Sequence, residues 1–553
     1  MIPKTTPSSA CLVLLGLLAA WGHGTAAAAA GVLQTIQLAR PAAAAGFGVT
    51  QSGGYLIVDS GAGLVFKVRQ AGGDITSIRY KGGPELQAQT KFSHISSGIG
   101  ASTAYAISGG VIKITLTTPS VKHYLMVRQY ENNIYMATHI TAEPTVGELR
   151  WITRLNADVL KNVPIESSTK DNIGAIESAD VFGMANGQTV SKYYGNQRAI
   201  DLTMRGVTGS GVGVYMAYGN RESSSGGPFF RDIQNQSGGN TEVYNYMNSG
   251  HAQTEENRMG LHGPYALLFT DGTYPSLVPN MNWMGEHGLA GWIGAAGRGK
   301  VIGNGLSGRD PGFAYAVGFA NATAQYWTRP APSNGGFGSY NMKAGTYKMT
   351  VYKGELAVYS ETVMVPAGGH TTLNTRTIND DPDAAPALWR IGHWDGTPNE
   401  FRNGRSIVVR HPSDPRNSSW GPVIHAVGSA TNLFPAAQWK TGVNNPTRIT
   451  FNLSADQIRD RTVRIGITTA FAGGRPAIQV NNWSSPLAAP SEQPDSRGLT
   501  IGTYRGNNAR FTFAVPARAL VAGTNTMTIN VISGSSGATY LSPAFAYDAI
   551  DML

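Results

Sequence analysis

The stretch VIKITLTTPSVKHYLMVRQYENNIYMATHI, residues 111–140, contains three short runs of β-branched and aromatic residues. These runs predict strands over 111–118, 124–130 and 134–140. The pair Asn132-Asn133 before the third run is typical of a hairpin turn. Short strands spaced about ten residues apart favour a large antiparallel sandwich over alternating strands and helices.

The composition of the whole chain supports an all-β fold in several units. A length of 553 residues exceeds that of a single ordinary domain. With 69 glycines, 29 prolines and only 14% charged residues, the sequence is typical neither of a disordered polyelectrolyte nor of a long helical rod. The hydrophobic fraction of 41% is sufficient for a substantial core.

We predict three domains after an N-terminal segment. The first is a large β-sandwich over 29–293, and the second is a small immunoglobulin-like or fibronectin-like sandwich over 294–380. The sequence DDPDAAP, residues 380–386, has the composition of a linker. The remainder, 387–553, predicts a jelly roll of the carbohydrate-binding type.

The first 28 residues have the pattern of a secretory signal peptide. One charge, Lys4, precedes the apolar stretch 11–21, and small residues follow it. This stretch is too short to span a bilayer, so we expect a secreted, soluble protein without a membrane partner. The single cysteine, Cys11, lies inside this segment, so we expect neither disulfides nor thiol chemistry in the mature chain.

The formal net charge of +9 is spread along the sequence. Because no block of consecutive lysines or arginines occurs, a nucleic-acid partner is not indicated. A diffuse positive charge suits a soluble polyanion such as an acidic polysaccharide, although solubility alone explains it equally well.

Two tyrosines and a histidine occur together in YNYMNSGHAQTE, residues 244–255. Tyr244 and Tyr246 are two residues apart, so both rings face one side of a strand. The turn-forming residues 248–250 would then leave His251 at the end of that strand. Aromatic rings beside a histidine suit a sugar site with a proton donor, but a structural, hydrogen-bonded histidine gives the same pattern.

Two further segments contain candidate cations. Lys192 lies in GQTVSKYYGNQR, residues 187–198, where a solvated surface lysine is the common alternative. Arg150 and Arg154 lie in GELRWITRLN, residues 147–156. On a strand these two arginines share a face about 13 Å apart, a spacing that suits two successive acidic sugars. Two surface arginines would look the same.

These three segments, together with WRIGHWDGTP at residues 389–398, resemble the rhamnogalacturonan lyases of polysaccharide lyase family 4. The resemblance covers nearly the whole chain after the signal segment. It implies a β-sandwich catalytic domain, a fibronectin type III-like domain and a carbohydrate-binding-like jelly roll. It also implies β-elimination at the rhamnose-(1→4)-galacturonate bond of rhamnogalacturonan I in the plant cell wall.

The resemblance implies roles for six residues. The catalytic pair falls on Lys192 and His251, and the substrate-binding residues fall on four positions: Arg150, Arg154, Tyr244 and Tyr246. No cofactor is required for the reaction that the resemblance implies. A structural calcium in the last domain, with Asp395 or Asp548 as a ligand, is conceivable, but no ligand spacing supports it. The chain differs from fungal members in lacking cysteine pairs, and a monomer is the default expectation.

The chemistry of the implied reaction suits these residue types. The proton at C5 of galacturonate is α to a carboxylate, so a cation must neutralise that carboxylate before the proton is removed. A base must be unprotonated to act, whereas a free lysine side chain has a pKa near ~10.4. A histidine side chain has a pKa of about 6.5, so it can donate a proton to the O4 leaving group near neutral pH. We assign Lys192 as base and His251 as acid, with the reverse assignment open.

Two other classes of protein remain open at this point. A glycoside hydrolase needs two carboxylates roughly 5–10 Å apart, and the adjacent Glu255 and Glu256 would face opposite ways on a strand. A non-catalytic carbohydrate-binding protein would be expected to lack some of the motif residues, all of which are present.

Overall fold

The computed structural model describes residues 46–144, 148–251, 253–494, 497–503 and 505–553, and the predicted signal segment 1–28 lies outside them. The described chain is almost entirely β-structure, which confirms the all-β prediction. No helix of these residues is long and apolar enough to cross a membrane. The helices are one short α-helix, Gly498–Ile501, and 3-10 helices at Ile165–Ser167, Asn282–His287, Ala295–Gly297, Pro382–Ala384, Gly404–Ser406, Thr431–Leu433, Ala455–Gln457, Ala517–Ala519 and Thr539–Leu541.

The first part of the described chain is a layered β-sandwich. Its strands are β1 (Gly48–Ser52), β2 (Tyr55–Asp59), β3 (Leu64–Arg69), β4 (Ile75–Tyr80), β5 (His94–Ile95), β6 (Ser102–Ser108), β7 (Val111–Thr117), β8 (Val121–Arg128), β9 (Asn133–Ile140), β10 (Glu148–Leu155), β11 (Gly174–Glu177), β12 (Val181–Gly183), β13 (Thr189–Ser191), β14 (Met204–Gly209), β15 (Val212–Ala217), β16 (Asn235–Ser237), β17 (Thr241–Ser249) and β18 (Gly260–Thr270).

A seven-stranded sheet, in the order β14-β15-β18-β9-β8-β7-β6, forms one layer of this sandwich. Its inner face packs on two four-stranded sheets, β1-β2-β3-β4 and β16-β17-β10-β5, around a continuous apolar core. Alternate residues of β3 are buried, as expected for a strand with one face on a core. The small sheet β11-β12-β13 stands apart and ends just before Lys192.

The hairpin predicted from Asn132-Asn133 joins β8 to β9. Strand β8 begins three residues earlier than predicted because His123 belongs to it. This histidine is buried, with Nδ1 2.9 Å from the hydroxyl of Thr138 and its ring stacked on Trp151. Burial lowers the pKa of His123 to about 3, so the ring is neutral and packs as a core residue.

The middle part of the chain is a smaller sandwich with its own core. Its sheets have the orders β23-β19-β26, β20-β27 and β22-β21-β24-β25. The strands are β19 (Arg298–Gly303), β20 (Leu306–Ser307), β21 (Tyr315–Ala320), β22 (Gln325–Thr328), β23 (Phe337–Lys343), β24 (Gly345–Lys353), β25 (Leu356–Val365), β26 (His370–Leu373) and β27 (Arg376–Thr377).

The last part contains two five-stranded sheets around a third core that includes Trp389. Trp394 is also buried. One sheet has the order β28-β37-β32-β35 with β30 paired to β37, and the other has the order β29-β31-β36-β33-β34. The strands are β28 (Trp389–Gly392), β29 (Val423–Ala426), β30 (Ala437–Trp439), β31 (Thr447–Leu453), β32 (Arg461–Phe471), β33 (Arg475–Val480), β34 (Trp483–Ser484), β35 (Ala509–Val515), β36 (Gly523–Ile532) and β37 (Ala544–Met552).

Candidate active site

The paired strands β10 and β17 bring four of the predicted residues onto one sheet face. Arg150 lies opposite Tyr246 in the antiparallel register, and Arg154 lies opposite Glu242. Tyr244 is paired with the buried Ile152 between them. Because side chains alternate along a strand, the two tyrosines share a face and the two arginines share a face, as predicted. The pairing of β10 with β17 places both pairs on the same side of the sheet.

The two tyrosine rings stack on each other in this face. Their centroids are 5.9 Å apart with planes inclined by 24°, and both residues are almost fully buried. The Tyr244 hydroxyl donates to Glu242 and also lies 3.2 Å from the amide oxygen of Gln236. Burial and the charge of Glu242 hold the pKa of Tyr244 well above its usual value, so this phenol stays protonated.

His251 lies two residues beyond the end of β17, where its backbone N–H donates to the Ser249 hydroxyl at 3.0 Å. Its Nδ1 is 3.0 Å from Oδ2 and 3.2 Å from Oδ1 of the buried Asp232. Because Nδ1 is occupied by Asp232, Nε2 is the ring nitrogen left to meet a substrate. Burial acts to lower the pKa of His251, but the charge and hydrogen bond of Asp232 outweigh burial and raise it.

Lys192 follows directly after β13 and lies beside His251. Its Nζ is 3.2 Å from Oδ1 of Asp180 and 5.3 Å from the centre of the Tyr193 ring. The His251 ring lies edge-on to the same tyrosine, with centroids 5.2 Å apart. Lys192 is close enough for its charge to lower the pKa of His251. The lysine side chain is 27% exposed, so it is neither in the core nor freely solvated.

Arg150 is held at the other side of the tyrosines. Its guanidinium lies 5.5 Å from the centre of the Tyr246 ring, and Nη2 donates to the Ser97 hydroxyl at 3.2 Å. Nη1 pairs with Glu148, while Nε is buried without a hydrogen-bond partner. Glu148 also reaches to 4.0 Å from Nε2 of His251, which places Arg150 and His251 around one common space.

Arg154 is engaged in contacts within the protein. Its Nε donates to Glu242 at 3.0 Å, and Nη1 lies 3.2 Å from the Phe92 carbonyl and 2.8 Å from the His94 ring. These contacts occupy much of the guanidinium. Binding of substrate by Arg154 stays a prediction.

Sequence reasoning missed four residues of this site: Glu148, Asp180, Tyr193 and Asp232. Three are carboxylates that pair with Arg150, Lys192 and His251, and the fourth is the aromatic ring that the lysine and the histidine share. The Ser-Lys-Tyr segment contained a signal for Tyr193, since it directly follows the lysine. Glu148 likewise stands two residues before Arg150 on the same strand, whereas no sequence signal marks Asp180 or Asp232.

The described residues of the last domain form no arrangement that points to a metal. Asp548 is buried and accepts hydrogen bonds from the backbone N–H groups of Asp395 and Gly396, at 3.1 and 2.6 Å. Burial raises the pKa of Asp395 to about 6. No cluster of three or more histidine, cysteine, aspartate or glutamate residues suited to a metal occurs in the described part of the chain. A structural calcium there stays a prediction.

Taken together, the face holds one amine, one imidazole whose pKa is raised by a carboxylate, and one arginine whose Nε has no hydrogen-bond partner in the protein. This combination suits removal of a proton next to an anionic group and delivery of a proton to a leaving group.

Comparison with known sequences places the chain in a family along almost its whole length. Residues 47–291 match the family described as "Rhamnogalacturonan lyase B, N-terminal". Residues 296–373 match domain II, and residues 387–552 match domain III, of polysaccharide lyase family 4.

Whole-chain relatives agree with these matches. "Rhamnogalacturonate lyase A" of Aspergillus aculeatus is 44% identical over 530 residues, covering 95% of this chain and 99% of that protein. The protein of the same name from Emericella nidulans is 44% identical over 514 residues, covering 92% and 96%. An insecticidal delta-endotoxin of Bacillus thuringiensis, by contrast, aligns with a TM-score of only 0.16 at 11% identity, over 69% of this chain and 58% of the toxin, and carries no argument. The extent and identity of the sequence matches show that this chain belongs to polysaccharide lyase family 4.

Proposed function

We propose that this protein is a secreted rhamnogalacturonan endolyase that cleaves the rhamnose-(1→4)-galacturonate bond of rhamnogalacturonan I by β-elimination. Family membership and the names of the two relatives support lyase activity on this polymer. The arrangement of Lys192, His251 and Arg150 around one space supports the reaction type. The sequence of residues 1–28 supports secretion, and we propose that the protein is a monomer.

In the proposed mechanism the galacturonate carboxylate binds Arg150, whose Nε has no partner within the protein. The free-amine form of Lys192, released from its ion pair with Asp180, removes the proton from C5 and becomes an ammonium. The electron pair left at C5 forms the C4–C5 double bond as the C4–O4 bond breaks. His251 transfers its proton to O4, so the products are a free rhamnose hydroxyl end and an unsaturated galacturonate.

The observation that carries this assignment is the contact between His251 and Asp232. A general acid must hold its proton until the leaving group takes it, and the buried Asp232 raises the pKa of His251. The same contact orients the ring so that Nε2 faces away from Asp232. It therefore favours His251 as the acid and leaves Lys192 as the base.

The test is the variant Lys192→Ala. We expect turnover of rhamnogalacturonan to fall at least about a hundredfold, since a positioned base contributes on that scale, while polymer binding persists. Product formation is followed by the ultraviolet absorbance of the unsaturated uronate. Lys170→Ala, which removes an exposed lysine, is the matched control and should keep normal turnover. Near-normal turnover of Lys192→Ala would overturn the proposal.

A hydrolase is disfavoured by the position of Glu255. Its two carboxylate oxygens accept from Arg258 at 2.8 Å each, and one of them also accepts from the Gly226 backbone. The ultraviolet assay separates the classes directly, because hydrolysis creates no double bond. Release of reducing ends without ultraviolet absorbance would show a hydrolase.

A further inference from the structure

A groove separate from the candidate active site lies between the first sandwich and the middle domain. Two cavities of about 640 and about 550 Å³ are each large enough for a ligand. They are continuous, because six residues line both of them. We call the combined cavity the junction groove, and its shared lining is Gly219, Asn220, Glu222, Val278, Tyr326 and Tyr340.

The wall of the junction groove contains an arginine whose charge is not compensated. Arg221 lines the smaller cavity, and its Nε and Nη1 are buried without a hydrogen-bond partner. Its guanidinium lies 5.1 Å from the centre of the Tyr218 ring. No carboxylate of the described residues forms an ion pair with it. Burial lowers the pKa of Arg221 to about 10, still well above neutral pH, so the group stays cationic.

The neighbouring Glu222 shows that this wall otherwise pairs its charges. Its carboxylate accepts from Arg298 at 2.7 and 2.9 Å and from the Tyr326 hydroxyl at 2.6 Å, and it lies 3.5 Å from Nζ of Lys343. The carboxylate of Glu222 is therefore fully engaged by Arg298, Tyr326 and Lys343. It leaves Arg221 as the cation of the groove that lacks an anion.

An uncompensated, largely desolvated cation is costly, so its presence beside a cavity indicates an anionic ligand. The rest of the lining has the composition of a sugar site. Trp327 and the 61% exposed Tyr340 offer aromatic faces to pyranose rings. Asn220 and Asn280 offer amides to hydroxyl groups. Aromatic and amide groups around a cation suit a sugar that carries a carboxylate better than a small inorganic anion.

We propose that the junction groove is a second, non-catalytic binding site for a galacturonate-bearing segment of the polysaccharide, with the uronate carboxylate on Arg221. None of the candidate catalytic residues lines the groove. The identity of the polymer rests on the proposed function, whereas the presence of a uronate site rests on Arg221 and its surroundings. Such a site would hold a long chain while the active site cleaves it.

Binding is measured by calorimetry on the double variant Lys192→Ala/Arg150→Ala, in which catalysis is removed and substrate binding at the candidate active site is weakened. Adding Arg221→Ala should weaken the affinity for rhamnogalacturonan about tenfold or more, the scale of a hydrogen-bonded charge. Tyr340→Ala, at an exposed position, should weaken it in the same direction. A second ligand is rhamnogalacturonan in which the uronates have been reduced to galactose. The double variant that retains Arg221 should bind this reduced polymer weakly. Its affinity should match that of the Arg221→Ala protein for the native polymer.

The control is Arg518→Ala, which removes an exposed arginine outside the groove and should leave the affinity unchanged. Because neither Nε nor Nη1 of Arg221 bonds to the protein, Arg221→Ala should also keep the melting temperature, whereas loss of a structural arginine would lower it. The proposal is overturned if Arg221→Ala changes the affinity of the double variant for rhamnogalacturonan by less than twofold. It is also overturned if the double variant binds the reduced polymer or free galacturonate as tightly as it binds native rhamnogalacturonan. A wild-type enzyme that forms no unsaturated product would sink the proposed function instead, independently of these binding results.

Discussion

Each cation of the candidate site is paired with one carboxylate. His251 pairs with Asp232, Lys192 with Asp180, and Arg150 with Glu148. These pairs differ in burial, since Asp232 is almost fully buried whereas Asp180 and Glu148 are about a quarter to a third exposed. A buried partner fixes its cation permanently, and an exposed one leaves its cation able to exchange for a substrate carboxylate. The site therefore keeps a fixed acid beside two exchangeable cations.

Replacement of Asp232 tests the fixed acid. In Asp232→Asn the negative charge that raises the pKa of His251 is lost, while burial and the charge of Lys192, which lower it, remain. Since a general acid is inactive once deprotonated, the alkaline limb of the kcat profile should move to lower pH. We expect kcat at neutral pH to fall about tenfold or more, on the scale of general acid catalysis. The measurement is kcat against pH from the ultraviolet assay.

The exposed Asp271 supplies the control for this profile, because Asp271→Asn removes one carboxylate elsewhere on the surface. Its profile should match the wild type. An alkaline limb that stays in place in Asp232→Asn, with a lowered kcat, would mean that Asp232 merely supports the fold and that His251 is not the acid.

Sequence reasoning reached the cations of the site but not their partners. Lys192, His251 and Arg150 stand in segments with recognisable patterns, and the structure brings them together. Asp232 and Asp180 are two of 34 acidic residues, and nothing adjacent to them in the chain distinguishes them. Their contacts depend on how the turn before β12, which contains Asp180, and the loop before β16, which contains Asp232, fold back, and this is a tertiary property.

At the scale of elements, the β10–β17 strand pair has two different ends. At one end Arg154, Glu242 and the Tyr244 hydroxyl form a chain of contacts that is nearly closed to solvent. At the other end Arg150 lies over Tyr246 near His251. The first end holds the tyrosine face in place, and the second end faces the reacting groups.

This difference predicts opposite effects for the two arginines. Arg154→Ala leaves the little-exposed Glu242 without its cation and should lower the free energy of unfolding by about 2 kcal/mol. Arg150→Ala should lower the free energy of unfolding less, because its partner Glu148 remains partly solvated. It should raise KM more, because Arg150 is the proposed partner of the substrate carboxylate. Thermal unfolding and steady-state kinetics on both variants provide the comparison. A larger rise in KM for Arg154→Ala would show instead that this arginine binds substrate directly.

Strand periodicity explains what could be predicted at this scale. The shared face of Tyr244 and Tyr246, and that of Arg150 and Arg154, follow from a period of two and are confirmed. The register that pairs Arg150 with Tyr246 joins distant segments, and a bulge between Leu149 and Arg150 shifts it by one residue. Local sequence contains no information on that shift.

At the scale of the whole molecule, the last domain is in direct contact with the segment that holds Lys192. The Tyr194 hydroxyl donates to the Thr500 carbonyl at 2.6 Å, and the Gly195 N–H donates to the Val408 carbonyl at 2.9 Å. The sequence predicts a linker between this domain and the middle domain. A linker gives no reason to expect contact between the last domain and the first sandwich. Through these contacts the third domain holds the backbone segment that contains Lys192 in place.

A second connection reaches the partner of Lys192. Arg497 of the last domain pairs with the buried Glu177, and its Nη2 lies 3.7 Å from Asp180. Glu177 also accepts from the Thr500 hydroxyl at 2.7 Å and lies 3.0 Å from Nε2 of His411. Residues of the third domain thus contact both the lysine segment and the carboxylate that pairs with the lysine.

The strongest of these contacts gives the last prediction. Buried Asp414 accepts from the Thr189 N–H and from its hydroxyl, both at 2.8 Å, three residues before Lys192. In Asp414→Asn an amide replaces the carboxylate, so these charge-assisted bonds weaken and the lysine segment loosens. We expect kcat to fall about tenfold or more with KM within about twofold, since small displacements of a catalytic group are costly.

The acid dependence of stability checks the same contact independently. Burial acts to raise the pKa of Asp414, but hydrogen bonds from Arg416 and Thr189 outweigh it and hold the pKa far below the usual value. The stabilisation is therefore complete above the ordinary aspartate pKa and is lost as pH falls below it. Melting temperature should drop in Asp414→Asn at neutral pH, and the gap to the wild type should narrow in acid. Asp456→Asn, at an exposed position of the same domain, should show neither effect. Unchanged kcat alongside a lowered melting temperature would mean that the third domain stabilises the enzyme without positioning its base.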